Sequence, residues 1–220
     1  GLRTQAGYVR GNYAYRTAFA PRWYAQYPGA WFVAGWTAGR IWNAATWGTV
    51  AGYCGYPAEP TYYDYGTTVV YQGDQVYVNG EQYAAAPEYM AQAQQIAEVG
   101  QQAAPPAKED DWQSLGVFAM ARPDEKTSYN IFQLAVNKDG ILRGNYYNAL
   151  VDATEPITGS VDKKTMRAAW TVGKKTTPVY EAGIANLTRD ETTVLVHFGK
   201  DQSEQFNFIR IEQPKETTEK

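Results

Sequence analysis

The feature that most constrains this chain is a train of short alternating segments across residues 115–212, each closed by turn residues at spacings of roughly 8–12 positions. Connections that short leave no room for crossover helices, so consecutive strands must pair antiparallel. Strands are expected near 115–122, 129–137, 141–149, 156–162, 165–173, 179–187, 192–199 and 204–212. The turns between them include Arg122-Pro123-Asp124-Glu125, Asn137-Lys138-Asp139-Gly140, Asp162-Lys163-Lys164, Gly173-Lys174-Lys175, Thr188-Arg189-Asp190-Glu191 and Gly199-Lys200-Asp201. The two-residue period assigns an inward face: Val117 and Ala119; Phe132, Leu134 and Val136; Leu142, Gly144 and Tyr146; Ala168, Trp170 and Val172; Ile184; Val194, Val196 and Phe198; Phe206 and Phe208. In the last strand the apolar phase changes to Ile209 and Ile211, which implies a bulge or two covered faces. The pattern predicts an α+β, mainly β chain with a C-terminal antiparallel up-and-down β-barrel of about eight strands, closed so that no edge is exposed. A sandwich is the alternative.

Upstream of residue 112 the composition changes. Residues 1–60 contain no Lys, and their five Arg (Arg3, Arg10, Arg16, Arg22, Arg40) are interleaved with rings such as Tyr8, Tyr13, Phe19, Trp23, Tyr24 and Tyr27. Residues 13–26 have the spacing of a short helix, with Tyr15, Phe19, Trp23 and Gln26 near one face, ended by Pro28-Gly29. Trp31, Trp36, Trp42 and Trp47 then recur among Gly and Ala, which predicts one or two closely packed short helices with Trp rings projecting outward. Rings this dense can form a core. Leu2, Val9, Val33, Ile41 and Val50 are nearly the only branched aliphatics, however, and interfaces are enriched in Tyr, Trp and Arg and poor in Lys. Trp23, Trp31, Trp36, Trp42, Trp47, Arg16, Arg22 and Arg40 are therefore the candidate interface residues. A platform of exposed rings for a polysaccharide is the weaker reading.

Residues 61–100 read as a β-hairpin unit followed by one helix. Gly73-Asp74 and Asn79-Gly80 supply the positive φ of tight turns. Pro87 opens a helix over 88–99 that Gly100 caps. Residues 101–111 (QQAAPPAKEDD) are a linker, 112–213 the barrel, and 214–220 a disordered tail.

Chemistry-bearing constellations are absent from the sequence. A net charge of −3 argues against nucleic acid as a partner. No apolar run reaches the roughly 20 residues of a membrane span; residues 30–50 come closest, and Arg40 and Asn43 interrupt them. The single Cys, Cys54, allows neither a disulfide within one chain nor a Cys-based metal site; a buried thiol is expected, with an inter-chain disulfide a minor alternative. His197, also single, alternates with Val196 and Phe198 and so points away from the barrel interior. It is expected to be structural or exposed, because one His makes no ordinary zinc site. The acidic groups at 109–111 and 152–155 read as solvated turns, and Asn186-Leu187-Thr188 as a chance glycosylation sequon. No catalytic, cofactor-binding or metal-binding residue is assigned, no cofactor is expected, and the chain is not expected to be an enzyme.

The motifs LGVFAMAR, FQLAVNKDGILRGNY, ITGSVDKKTMRAAWTVG, AGIANLTRDETTVLVHFGK and QFNFIRIE resemble the C-terminal half of a family of secreted planctomycete proteins often called mu-protocadherin or cell-surface protein. YYDYGTTVVYQGDQVYVNGE, EYMAQAQQIA and AGRIWNAATWGTV are similar to its middle and N-terminal parts. The resemblance covers most of the chain and implies export to an extracellular or cell-surface location. It brings no activity, cofactor or site residue, and nothing in the chain has the calcium motifs of a cadherin domain. A start at Gly1 rather than Met suggests either a fragment or a removed leader. The resulting expectation is an exported structural subunit that self-assembles or joins a surface assembly through its aromatic segment. The alternative is a module binding a ligand in the barrel or a polysaccharide on its rings.

Overall fold

The computed structural model describes residues 1–104 and 111–215; most of the expected linker (105–110) and the end of the tail (216–220) lie outside the described residues. Pro and Gly punctuate the first sixty residues into four short helices: α1 (Leu2–Gly11), α2 (Pro21–Gln26), α3 (Ala38–Trp42) and α4 (Trp47–Cys54). The helix expected over 13–26 is confined to α2, because Pro21 takes the first helical position and cannot continue a helix from upstream. In α4 the Thr46 hydroxyl accepts from the Thr49 N–H at 3.3 Å, and Gly55 ends the helix at φ +73°. A meander follows, of β1 (Val69–Gln72), β2 (Gln75–Val78) and β3 (Glu81–Ala85), with positive φ at Gly73, Asn79 and Gly80 as the turn residues require.

Helix α5 (Ala86–Gln102) runs past its expected end. Gly100, read from the sequence as a cap, lies inside the helix and is buried, and a Cβ there would collide with the Gly159 backbone. It marks the point where helix and barrel wall touch.

The barrel strands are β4 (Trp112–Ala121), β5 (Asn130–Asn137), β6 (Ile141–Asn148), β7 (Ala153–Val161), β8 (Arg167–Val172), β9 (Val179–Gly183), β10 (Glu191–Gly199) and β11 (Gln202–Ile211). They close in the order β10-β11-β4-β5-β6-β7-β8-β9, each pair antiparallel. This is the expected up-and-down barrel rather than a sandwich. Its interior is filled by rings: Phe118 stacks on Phe208 at 5.0 Å, Phe132 meets Tyr180 at 5.2 Å, and Trp170 lies parallel to Tyr180 at 6.1 Å. Val50, Ala51 and Tyr56 from α4 and its exit join this interior cluster, as do Ile184 and Leu187, and close one mouth.

One inward assignment reverses. Leu115, Phe118 and Met120 fill the interior, whereas Val117 and Ala119 face outward. A bulge between Ser114 and Gly116, with Gly116 at φ +104°, shifts the strand's phase by one residue. Phe198 also departs from its inward assignment and is partly exposed. In β11 the register against β4 runs unbroken from Asn207 to Ile211, so its phase change reflects two covered faces: Phe206 and Phe208 inside, Ile209 and Ile211 outside.

Two layers cover the outer wall. The aromatic segment packs on Val117, Ala119, Ile131, Ala135, Ile141, Ile209 and Ile211. Helix α5 lies across β7, β8 and β9, and the three-stranded sheet packs with Tyr89 against Leu195 of β10.

Candidate functional site

The candidate interface residues divide by burial. Trp23, Trp36 and Trp42 are 4, 6 and 6 % exposed and lie in the cluster that covers the barrel wall, so these rings point inward rather than outward. The physical reason is the apolar outer face of β4, β5 and β11, which needs a cover, and the aromatic segment is that cover. Trp31 is half-buried, edge-on to Trp112 at 5.0 Å, and its backbone is gripped by Asn145 through one accepted and one donated bond at 2.7 Å each. Trp47 stacks on Tyr56 and donates to the Ala58 carbonyl at 3.0 Å. Arg16 and Arg22 are exposed, and Arg40 lies over the Trp36 ring at 5.2 Å. Phe32, which the sequence did not single out, is 52 % exposed and, packed on Tyr24 at 5.1 Å, itself lines an apolar notch of about 140 Å³ with Phe19, Pro21, Tyr24, Trp36 and Ile41.

The second constellation was not expected. On the outer wall, residues that the barrel strands hold in register form a diagonal of polar groups: Arg167 on β8, Glu181 on β9, His197 on β10 and Ser203 on β11. Ala169 pairs with Glu181, Val179 with His197, and His197 directly with Ser203. Arg167 donates from Nε to Glu181 Oε2 at 2.9 Å, His197 Nε2 lies 2.6 Å from Glu181 Oε1, and His197 Nδ1 lies 2.7 Å from Ser203 Oγ. Arg167, Glu181 and His197 are fully buried. His197 thus faces away from the interior as expected, but it meets protein rather than water.

Burial costs such charges heavily unless each is paired and hydrogen-bonded, and here they are. Arg167 also donates to Gln92 Oε1 at 2.7 Å and to the Tyr89 carbonyl at 3.1 Å, and its guanidinium lies 3.8 Å from the Tyr89 ring centre. Desolvation pulls the Arg167 pKa down, but Glu181 and then Tyr89 and Tyr65 more than reverse it, so the guanidinium stays charged. Tyr65 and Tyr89 are raised well above the usual phenol value, first by burial and then by Glu181. Tyr71 is raised to about 12 by the same two causes, with Ser203 beside it acting the other way.

A cavity adjoins the diagonal at each end. Arg167 lies at the edge of a cavity of about 570 Å³ together with Tyr83, Gln95, Asp139 and Lys163. Ser203 lies at another of about 270 Å³ with Tyr71, Gly73, Asp74, Ala86, Lys200 and Asp201.

The remaining sequence candidates have structural surroundings. Cys54 is half-buried, its Sγ is 3.6 Å from the Asn137 carbonyl, and burial pushes the thiol up to about 11, away from nucleophilic use. Asn186 is fully buried; it accepts from the Tyr63 N–H at 2.9 Å and donates to Thr192 at 3.0 Å, so the folded sequon is closed. No group of three or more His, Cys, Asp or Glu able to hold a metal occurs among the described residues. No helix among them is long and apolar enough to cross a membrane.

No protein-family model matches the chain, and no curated protein or solved structure does so either.

Proposed function

We propose that the chain is an exported structural protein whose copies associate through what the aromatic segment leaves on its surface. One observation carries this reading: Phe32, half exposed, forms one wall of an apolar notch of about 140 Å³ that is open on its outer side. An apolar cavity of about 150 Å³ is enough to hold a benzene ring, so the notch is sized for one aromatic side chain. Two copies facing each other across a twofold axis would each seat Phe32 against the other's notch, in a self-complementary contact. Arg16 and Arg22, exposed in the same segment, are suited to the rim of such a contact. Secretion belongs to the same proposal and rests on the motif resemblance.

Light scattering over a concentration series tests it. The chain should weigh more than its monomer mass of 24.5 kDa, and Phe32→Ser should return it to that mass with its aromatic circular dichroism intact. A monomer at every concentration reached would sink the reading.

A further inference from the structure

Arg167, Glu181 and His197 are enclosed by α5 and the three-stranded sheet, and their contacts are those of a clamp between two layers. Ser203, the fourth member, is only half-buried and lines the 270 Å³ cavity between the β1–β2 turn, the start of α5 and the β10–β11 turn. In the tautomer that donates from Nε2 to Glu181 Oε1, Nδ1 is left to accept from the Ser203 hydroxyl. A hydroxyl hydrogen-bonded to an imidazole whose other nitrogen is held by a carboxylate is the arrangement that activates a serine. Arg167 donates to that carboxylate from its far side at 2.9 Å. A second observation points into the same cavity: the Tyr71 hydroxyl is buried, has no hydrogen-bond partner of good geometry among the described residues, and lies close enough to Ser203 for that hydroxyl to lower its pKa.

We propose that Ser203 is a nucleophile for acyl transfer from short-chain esters, with His197 as its base and Tyr71 as the donor to the developing oxyanion. The Ser203 Oγ forms a bond to the ester carbonyl carbon while its proton passes to His197 Nδ1 and the carbonyl electron pair moves onto oxygen, opposite the Tyr71 hydroxyl. The carbonyl re-forms, the C–O bond to the alcohol breaks, and the Nδ1 proton leaves with the alcohol. Water then attacks the acyl-serine and gives a proton to Nδ1. The carboxylic acid departs as that proton returns to Oγ. Glu181 and Arg167 touch no substrate and act as positioning residues. The small volume and the polar rim of Lys200, Asp201 and Asp74 limit the acyl group to a short one.

The test uses the full chain, a fluorophosphonate probe and peptide mass spectrometry. One adduct per chain is expected on Ser203, suppressed by excess phenyl acetate and absent from protein unfolded in urea. Ser203→Ala should abolish both the adduct and p-nitrophenyl acetate hydrolysis. Tyr71→Phe should slow hydrolysis by about 10²-fold, the scale for losing one oxyanion donor, with the melting temperature held. No adduct on Ser203 of the native chain, or equal labelling of native and unfolded protein, overturns the proposal and leaves the four residues as a clamp alone. The site of the adduct on the unaltered chain decides the matter even if a variant fails to fold.

Discussion

Glu181 has a partner on each oxygen, Arg167 on Oε2 and His197 on Oε1, in a place that water does not reach. Removing its charge strands the Arg167 guanidinium in a dry layer, and breaking a buried pair on one side costs about 3–5 kcal/mol. Glu181→Gln should therefore lower stability by that amount in urea unfolding, with the slope unchanged so that the loss is one of stability rather than of compactness. A loss under about 1 kcal/mol would place the pair in the weak class of solvated surface pairs. The sequence placed His197 on the outer face through its alternation with Val196 and Phe198, which was right. It could not place Glu181 or Arg167 beside it, because they lie 16 and 30 residues away and meet only through the stagger of three paired strands. The pairing of His197 with Ser203 was the more legible part, since a tight turn at Gly199-Lys200-Asp201 brings those two positions opposite each other.

At the scale of elements, α5 is held to the barrel at the contact between Gly100 and Gly159, where neither side carries a Cβ. Propensity alone makes Gly→Ala in a helix favourable by about 1 kcal/mol. The helix cannot stay where it is with a Cβ at this point, and overpacking of this kind costs about 1–3 kcal/mol. Gly100→Ala is expected to destabilise in thermal or urea unfolding, whereas Ala91→Gly, on the exposed side of the same helix, should cost only the propensity term. A stabilised Gly100→Ala protein would show that α5 does not lie against β7 as described. The expected helix was visible in its 3.6-residue pattern. Its end was not, because a Gly that caps a helix and a Gly that lets a helix approach a strand look the same in sequence.

At the scale of the whole molecule, the apolar outer face of β4, β5, β6 and β11 is covered rather than left to water. Val117, Ile131, Ile141, Ile209 and Ile211 are covered by the aromatic segment, and each such side chain loses roughly 1.5–3 kcal/mol when it is returned to solvent. The segment is also tied down by polar bonds: Arg10 donates to the Arg210 carbonyl at 2.9 Å and to Glu191 at 2.8 Å, and Asn207 donates to Gln5 at 2.6 Å. A chain lacking residues 1–60 is expected to precipitate or to lose its cooperative melt. A soluble, sharply melting truncated chain would count against the cladding. This also bears on how assembly is read. With Trp23, Trp36 and Trp42 committed to the barrel, any contact between copies must use what remains outside, which is why Phe32 rather than a Trp carries the proposed interface.

By itself the sequence determined the order of the strands, the turns that join them and most of the side chains that fill the barrel. Those depend on interactions between near neighbours: a two-residue period, positive φ at turns, and connections too short for anything but antiparallel pairing. Only the tertiary structure decided what the outward-facing residues meet. Strand periodicity separates two faces but does not say whether the second face meets water or another layer, since that layer comes from residues up to two hundred positions away. Val117 and Trp23 became core, and Arg167, Glu181, His197 and Ser203 became one hydrogen-bonded group, because closing the barrel fixed the register and the upstream segments then covered its wall.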